Sequence, residues 1–172
     1  MNIELADADA AERHMGLLTD LLIDAVNSGA SIGWLPPLSA SAAEDYWRSR
    51  RAEIVEGSRL LLLAWDGDTL VGTAQLGLEQ RENGSHRAEV QKVLVHSDHR
   101  RRGAASQLML ALEAEAIRLG RSLLFLDTRE GDAAEQLYRQ MGFTRVGAIP
   151  NYVRSADGGF EATVVYYKIL GL

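Results

Sequence analysis

The chain contains no cysteine, so disulfides, thiolate metal sites and cysteine nucleophiles are excluded together and the fold rests on packing. Proline is scarce, with 3 in 172 residues, and no block of sequence repeats, which leaves neither a proline-rich linker nor a solenoid. Positive charge is in deficit: 18 Lys and Arg stand against 24 Asp and Glu, a net charge of -6. A nucleic-acid or anionic-membrane binder needs a broad basic surface, so neither partner is expected. No run approaches the roughly 18 apolar residues of a membrane span. The acidic start, MNIELADADAAERH, also lacks the basic and then apolar order of a signal peptide. A cytoplasmic protein is the expectation. His14, His86, His96 and His99 have no metal-ligand spacing, and no metal is expected.

What is present suffices for one core. With 47% hydrophobic residues, the span 1–172 reads as a single domain. Leu17, Leu18, Leu21, Leu22, Ala25 and Val26 recur at helical spacing in a helix from Ala11 to Ser28, stopped by Gly29. Ser41 and Glu44 have the spacing of a capping box and predict a second helix running to Gly57. RLLLLAW and TLVGTAQLGLE read as strands joined at Asp66-Gly67-Asp68, because glycine accepts the positive φ of a tight turn. After the turn at ENGS, AEVQKVLV is a third strand.

The period then changes. The stripe Ala105, Leu108, Met109, Leu112, Ala116 and Leu119 predicts a helix ending at Gly120, and SLLFLD a short buried strand. Strand, crossover helix and strand form a βαβ unit, so the strands ending at Val95 and Asp127 are predicted to run parallel. A short helix follows, capped by Asp132 and Glu135, with Ala134, Leu137, Tyr138 and Met141 turned inward. Strands at TRVGAIP and ATVVYYKIL complete an α/β (α+β) order, ααβββαβαββ. NSGASIGWLPPLSAS and PNYVRSADGG read as loops.

The densest chemistry lies at the βαβ junction, where Arg100, Arg101 and Arg102 stand beside Gly103, Ala104 and Ala105. A helix that starts just after a turn presents unpaired N–H groups and a positive dipole end, which together attract anions. Small residues let a large anion reach that backbone, and arginines add forked donors for phosphate oxygens. A pyrophosphate suits the place. Neither Gly-Lys-Ser or Gly-Lys-Thr nor G-x-G-x-x-G occurs there, which sets aside the two familiar nucleotide loops. What remains is R-x-x-G-x-A, from Arg100 to Ala105.

With that motif between a strand and a helix, and with DAAEQLYRQMGFTRVG downstream, the chain resembles the GCN5-related N-acetyltransferase (GNAT) family over nearly its whole length. The resemblance implies the GNAT fold: a mixed central sheet of six to seven strands with about four helices, its parallel central pair splayed for acetyl-coenzyme A (acetyl-CoA). It implies that residues 100–105 hold the pyrophosphate and that Val93, Leu94 and Val95 pair with the pantetheine arm. The family often has Gly where this chain has Arg101. The implied reaction is direct transfer of acetyl to an amine in a ternary complex.

An amine is mostly protonated at neutral pH, so a carboxylate must take a proton. Glu89 and Asp127 are both candidates, and a purely structural carboxylate is the alternative for each. Tyr138, in LY before GF, matches the family's general acid, whereas spacing alone makes it a core residue. Trp34 and Tyr152, in the two loops, are candidates to wall an acceptor pocket. GASIGW, NGSHRAEVQKVLV, LDTREGDAAEQLY and RVGAIPNY are similar to the tabtoxin-resistance branch of the family. That similarity favours a small-molecule amine, a toxin or an antibiotic, as acceptor. A protein N-terminus or lysine, and a non-catalytic acetyl-CoA-binding sensor, are the alternatives, and a homodimer is left open.

Overall fold

The structure, a computed structural model, describes residues 1–171. In chain order the elements are β1 (Asn2–Ala6), α1 (Ala8–Arg13), α2 (Met15–Asn27), α3 (Ala40–Val55), β2 (Arg59–Asp66), β3 (Thr69–Leu78) and β4 (Arg87–Val95). There follow α4 (Ala104–Arg118), β5 (Leu123–Arg129), α5 (Ala134–Gln140), β6 (Thr144–Arg154) and β7 (Phe160–Ile169). The strands form one seven-stranded sheet in the order β1-β2-β3-β4-β5-β7-β6. β4 and β5 pair in parallel as the βαβ pattern predicts, and the other pairs are antiparallel.

The run RLLLLAW is apolar at successive positions because β2 is covered on both faces. Leu61 and Leu63 enter one core with Leu18, Leu22 and Trp47 from α2 and α3. Leu62 and Ala64 enter the other with Leu108, Met109 and Leu112 from α4. Trp47 also donates its indole N–H to Leu18 O at 2.9 Å, so a buried polar tip finds a partner inside the first core. No helix among the described residues is long and apolar enough to cross a membrane.

Four expectations need correction. NIELA forms β1, a seventh strand, on the edge beside β2; its five residues give too short an alternation to stand out from the helix that follows. The first helix is two: α1 ends at His14, where φ -102 and ψ 16 leave the helical region, and α2 begins at Met15. There are therefore five α-helices, one more than in the order ααβββαβαββ and in keeping with the fold of about four that the resemblance implies. The cap of α3 is Ser39, whose hydroxyl accepts from Ala42 N at 3.2 Å, not Ser41. PNYVR is not loop, since β6 runs on to Arg154 and the hairpin turn begins only at Ser155.

Candidate active site

β4 and β5 stay together for a short stretch. Their paired residues are Arg87–Leu123, Ala88–Leu124 and Glu89–Phe125, after which β4 continues to Val95 and β5 to Arg129 without facing each other. A bulge in β4 accompanies the split: Thr73 opposes Leu94 and Gln75 opposes Gln91, so Ala74 faces two residues, and Lys92 takes φ 49. The extra residue reverses the alternation. Ala88 and Val90 lie in the α4 core before the bulge, whereas after it Leu94 lies in the α2–α3 core and Val93 and Val95 pack on the α4 side. The edge of Val93, Leu94 and Val95 that faces β5 is left without a strand partner.

Just beyond β4, the chain turns into α4. Gly103 is its N-cap at φ 88 and ψ 0, with no side chain capping the first turn. The amides of Ala104, Ala105 and Ser106 have no acceptor among the described residues, the first bonded one being Gln107 N to Gly103 O at 3.0 Å. A Cβ on Gly103 would meet nothing within 4 Å, so the space beside this N-cap is open. Arg101 and Arg102 are exposed and form no ion pair among the described residues. Arg101 adopts φ 61 at the position where the resembling family often has glycine, and glycine enters that left-handed region at no steric cost. Arg100 differs from its neighbours. Its Nε lies 3.4 Å from Val95 O and its other end donates to Ser28 Oγ, which braces the junction against the end of α2. Ser97 adds a second brace, giving its N–H and hydroxyl to Asp24 at 2.8 and 2.7 Å.

On the α3 face of the sheet, beside Glu89, lies a cleft of about 290 Å³. Arg59, Gly77, Gln91, Glu53, Glu79 and Phe125 line it with Glu89. Arg59 is 6% exposed. It meets Glu53 through Nε and Nη2 at 2.8 and 2.7 Å, and through Nη1 it donates to Gln75 and Gln91 at 2.8 and 2.7 Å. Tyr46 donates its hydroxyl to the same Gln75 oxygen at 3.1 Å, and burial raises its pKa. Lys92 extends this network towards the loop between α2 and α3. Its ammonium donates to Ile32 O at 2.9 Å and lies 5.5 and 5.6 Å from the rings of Trp34 and Tyr46. Burial, then Arg59, lower the Lys92 pKa, while Asp127 and Glu89 act in the opposite sense. Trp34 is thereby fastened to α3 and β4, but it does not line the cleft.

The candidate acids and bases stand in different surroundings. Glu89 is half-buried in the cleft and forms neither an ion pair nor a hydrogen bond among the described residues. Asp127 is exposed and accepts from Thr163 Oγ1 at 2.7 Å. Tyr138 is 7% exposed, with ring centroids of Phe143 and Tyr166 at 5.9 and 6.2 Å, and its hydroxyl has no partner among the described residues. Burial first, then Asp132 and Asp127, push its pKa far above the ordinary tyrosine value, so it keeps its proton. Its helix is anchored by Glu135, which accepts from Gly131 N at 2.8 Å, from Arg139 at 2.9 Å and from the Tyr166 hydroxyl. The N-cap of this helix is Ala133, without a side-chain cap, rather than the expected Asp132, whose Oδ1 accepts from Ala134 N at 3.3 Å one residue earlier in the turn. Tyr152 sits on β6, 55% exposed, and no hydrogen bond or aromatic contact joins it to Trp34, Glu89 or Asp127.

Residues 26–143, more than half of the chain, match the model of the acetyltransferase (GNAT) family. The chain belongs to that family. An uncharacterized N-acetyltransferase from the hisH-hisA intergenic region of Azospirillum brasilense is 33% identical over 115 residues, which are 66% of this chain and 67% of that protein. Among solved structures, a ribosomal-protein-alanine N-acetyltransferase from Brucella melitensis superposes with a TM-score of 0.80 at 23% identity, over 99% of this chain and 100% of that one. A putative acetyltransferase from Salmonella typhimurium, solved with acetyl-CoA, gives 0.79 at 20% identity over 99% and 94%. At those identities the structures share the fold.

A GNAT protein is an acetyl-CoA-dependent acyltransferase, and this chain has a place that fits the coenzyme: three first-turn amides with no acceptor among the described residues, next to an open N-cap and an unpaired strand edge. What sequence reading missed is the polar network under the cleft. Arg59 heads an otherwise apolar strand, and a lone arginine on the inward register of RLLLLAW was its available signal. Tyr46, Gln75, Gln91 and Lys92 carry no such mark, since three elements must pack before they meet.

Proposed function

We propose that this GNAT enzyme acetylates a primary amine of a small molecule, a toxin or an antibiotic being the favoured class, by direct attack in a ternary complex. The observation that carries the reading is the cleft at Glu89, whose 290 Å³ lies just below the roughly 300–1,000 Å³ typical of small-molecule sites and so suits a small acceptor. The stretches similar to the tabtoxin-resistance branch support the choice of class.

In this reading, acetyl-CoA supplies the activated acetyl thioester. The amides of Gly103, Ala104 and Ala105, with that of Ser106, hold the diphosphate, with Arg101 and Arg102 supplying charge and Arg100 keeping the loop in register with α2. Val93, Leu94 and Val95 offer their free edge to the pantetheine arm, and an N–H there faces the carbonyl oxygen on which negative charge grows. Glu89 takes the proton from the incoming ammonium, with Asp127 the second candidate for that role. Tyr138, protonated because it is buried, returns a proton to the leaving sulfur. Trp34 acts on the acceptor side through its loop; Tyr152, on the surface of β6, is a candidate contact for an acceptor larger than the cleft.

The test is an acceptor screen with acetyl-CoA and mass spectrometry of products, run on wild type, Glu89→Gln and Asp127→Asn. The proposal expects acetylated small amines and a kcat/KM loss of about a hundredfold or more in the variant lacking the base. Acetylation confined to peptides would overturn it.

A further inference from the structure

Under the cleft, several hydrogen-bond donors have nothing to receive them. Arginine can only donate, so the two side-chain amides that meet Arg59 Nη1 must present their oxygens to it. This fixes the other end of each amide. Gln75 Nε2, on a residue with 0% exposure, has no acceptor among the described residues. Gln91 Nε2 donates to nothing among the described residues, and Arg59 has a second Nη2 proton left after Glu53 has taken one. Gln75 Nε2 is the buried one, and its missing acceptor costs free energy; Gln91 and Arg59 line the cleft itself, where an incoming oxygen can receive their remaining donors.

The space for such an oxygen is above Gly77. This glycine lines the cleft, pairs with Glu89 across β3 and β4, and lacks the side chain that would fill the site. A Cβ there would lie 3.9 Å from both Arg59 Nη2 and Gln91 Nε2. The charges nearby favour an anion. Glu53 is shared by Arg50 at 2.6 Å and Arg59 at 2.7 Å, and Glu79 by Arg81 at 2.6 Å and Arg87 at 3.0 Å. Each of these glutamates is outnumbered two to one, which leaves Glu89 as the lining carboxylate with no cation paired to it. One wall is therefore rich in donors, with the charges of Glu53 and Glu79 offset by Arg59 and Arg87 in the lining and by Arg50 and Arg81 behind it, and the point beside it is negative.

We propose that this wall is a carboxylate subsite and that the acceptor is an amino-acid-like zwitterion. Its carboxylate lies over Gly77 on Gln91 Nε2 and Arg59 Nη2, and its amine lies towards Glu89. The inference rests on the reading of this cleft as the acceptor site and narrows it from any small amine to one carrying a carboxylate.

The experiment compares α-, β- and γ-amino acids, each against the amine of the same chain without the carboxyl group, with acetyl-CoA and the full chain, following release of coenzyme A thiol. Wild type is expected to prefer at least one carboxylated acceptor by about tenfold or more in kcat/KM, the effect of one charge-assisted hydrogen bond. Gln91→Glu keeps an oxygen for Arg59 but removes the donor and adds a negative charge, so the preference should fall by about tenfold or invert. Gly77→Ala places a methyl group in the anion's space at ordinary contact distances, and should raise KM for the carboxylated acceptor with little change in kcat. Thermal unfolding of both variants reports whether they fold as wild type does. Equal efficiency with and without the carboxyl group, or an unchanged preference in a folded Gln91→Glu, overturns the subsite and leaves the small-amine reading standing. Acetylation of neither set overturns both.

Discussion

Tyr138 shows how much a single residue's surroundings decide. A phenol near its ordinary pKa of about 10 gives up part of its proton in alkaline solution, whereas burial holds this one protonated well beyond that. The alkaline limb of the pH–rate profile should therefore not come from Tyr138 below pH 10. Because its hydroxyl has no partner, Tyr138→Phe is expected to leave the unfolding midpoint close to wild type while lowering kcat by about a hundredfold. Steady-state kinetics with a denaturation curve checks both, and a variant with undiminished kcat would remove Tyr138 from the mechanism. The position was legible in the sequence, since LY before GF and the inward stripe both point to it. Its protonation state was not, because Phe143 and Tyr166 reach it from later elements. Arg100 makes the converse point: its place in R-x-x-G-x-A was plain, but its tie to Ser28, 72 residues away in the chain, could come only from packing.

At the scale of elements, the turn from β4 into α4 is the proposed anion cradle. Gly103 is left-handed there, a conformation that costs any L side chain roughly 1–2 kcal/mol. Gly103→Glu adds that strain and a negative charge at the mouth of the amides, and is expected to weaken acetyl-CoA binding by about tenfold or more. Calorimetric titration of the folded variant measures it; unchanged affinity would move the coenzyme elsewhere. Strands and helices with a long period, such as β2, β3 and α4, were readable because their alternation or stripe exceeds local noise. β1 was hidden by its length, and the break at His14 by an apolar stripe that hardly changes phase across it. The bulge at Lys92 left no trace, since nothing in AEVQKVLV says that two of its residues will face one of β3.

Across the whole molecule, the sheet holds two cores apart, and α5 is fixed to the outer part of the sheet through Glu135. Its hydrogen bonds, that from Tyr166 first, hold the Glu135 carboxyl at about 2, below its ordinary 4.5. A carboxyl with a depressed folded pKa stabilises the fold above its unfolded pKa, and that contribution disappears as the pH falls from about 4.5 towards 2. Glu135→Gln should therefore cost about 1.5–3 kcal/mol at pH 7, the range for hydrogen bonds to a charged group. Urea unfolding at pH 7 and pH 3 is expected to show the gap from wild type narrowing in acid; a gap independent of pH would mean that Glu135 acts by shape alone.

The sequence by itself determined the α/β order, the parallel pair around α4 and the small-residue turn proposed for a diphosphate. Those properties are local: a period, a glycine, a run of charge. Only the tertiary structure decided where β4 leaves β5, which way Arg100 turns, and that Arg59, Gln75 and Gln91 from three strands share one set of hydrogen bonds beneath the cleft. Such contacts depend on register and twist between strands distant in the chain, and a change of one residue in register turns every side chain of a strand to its opposite face.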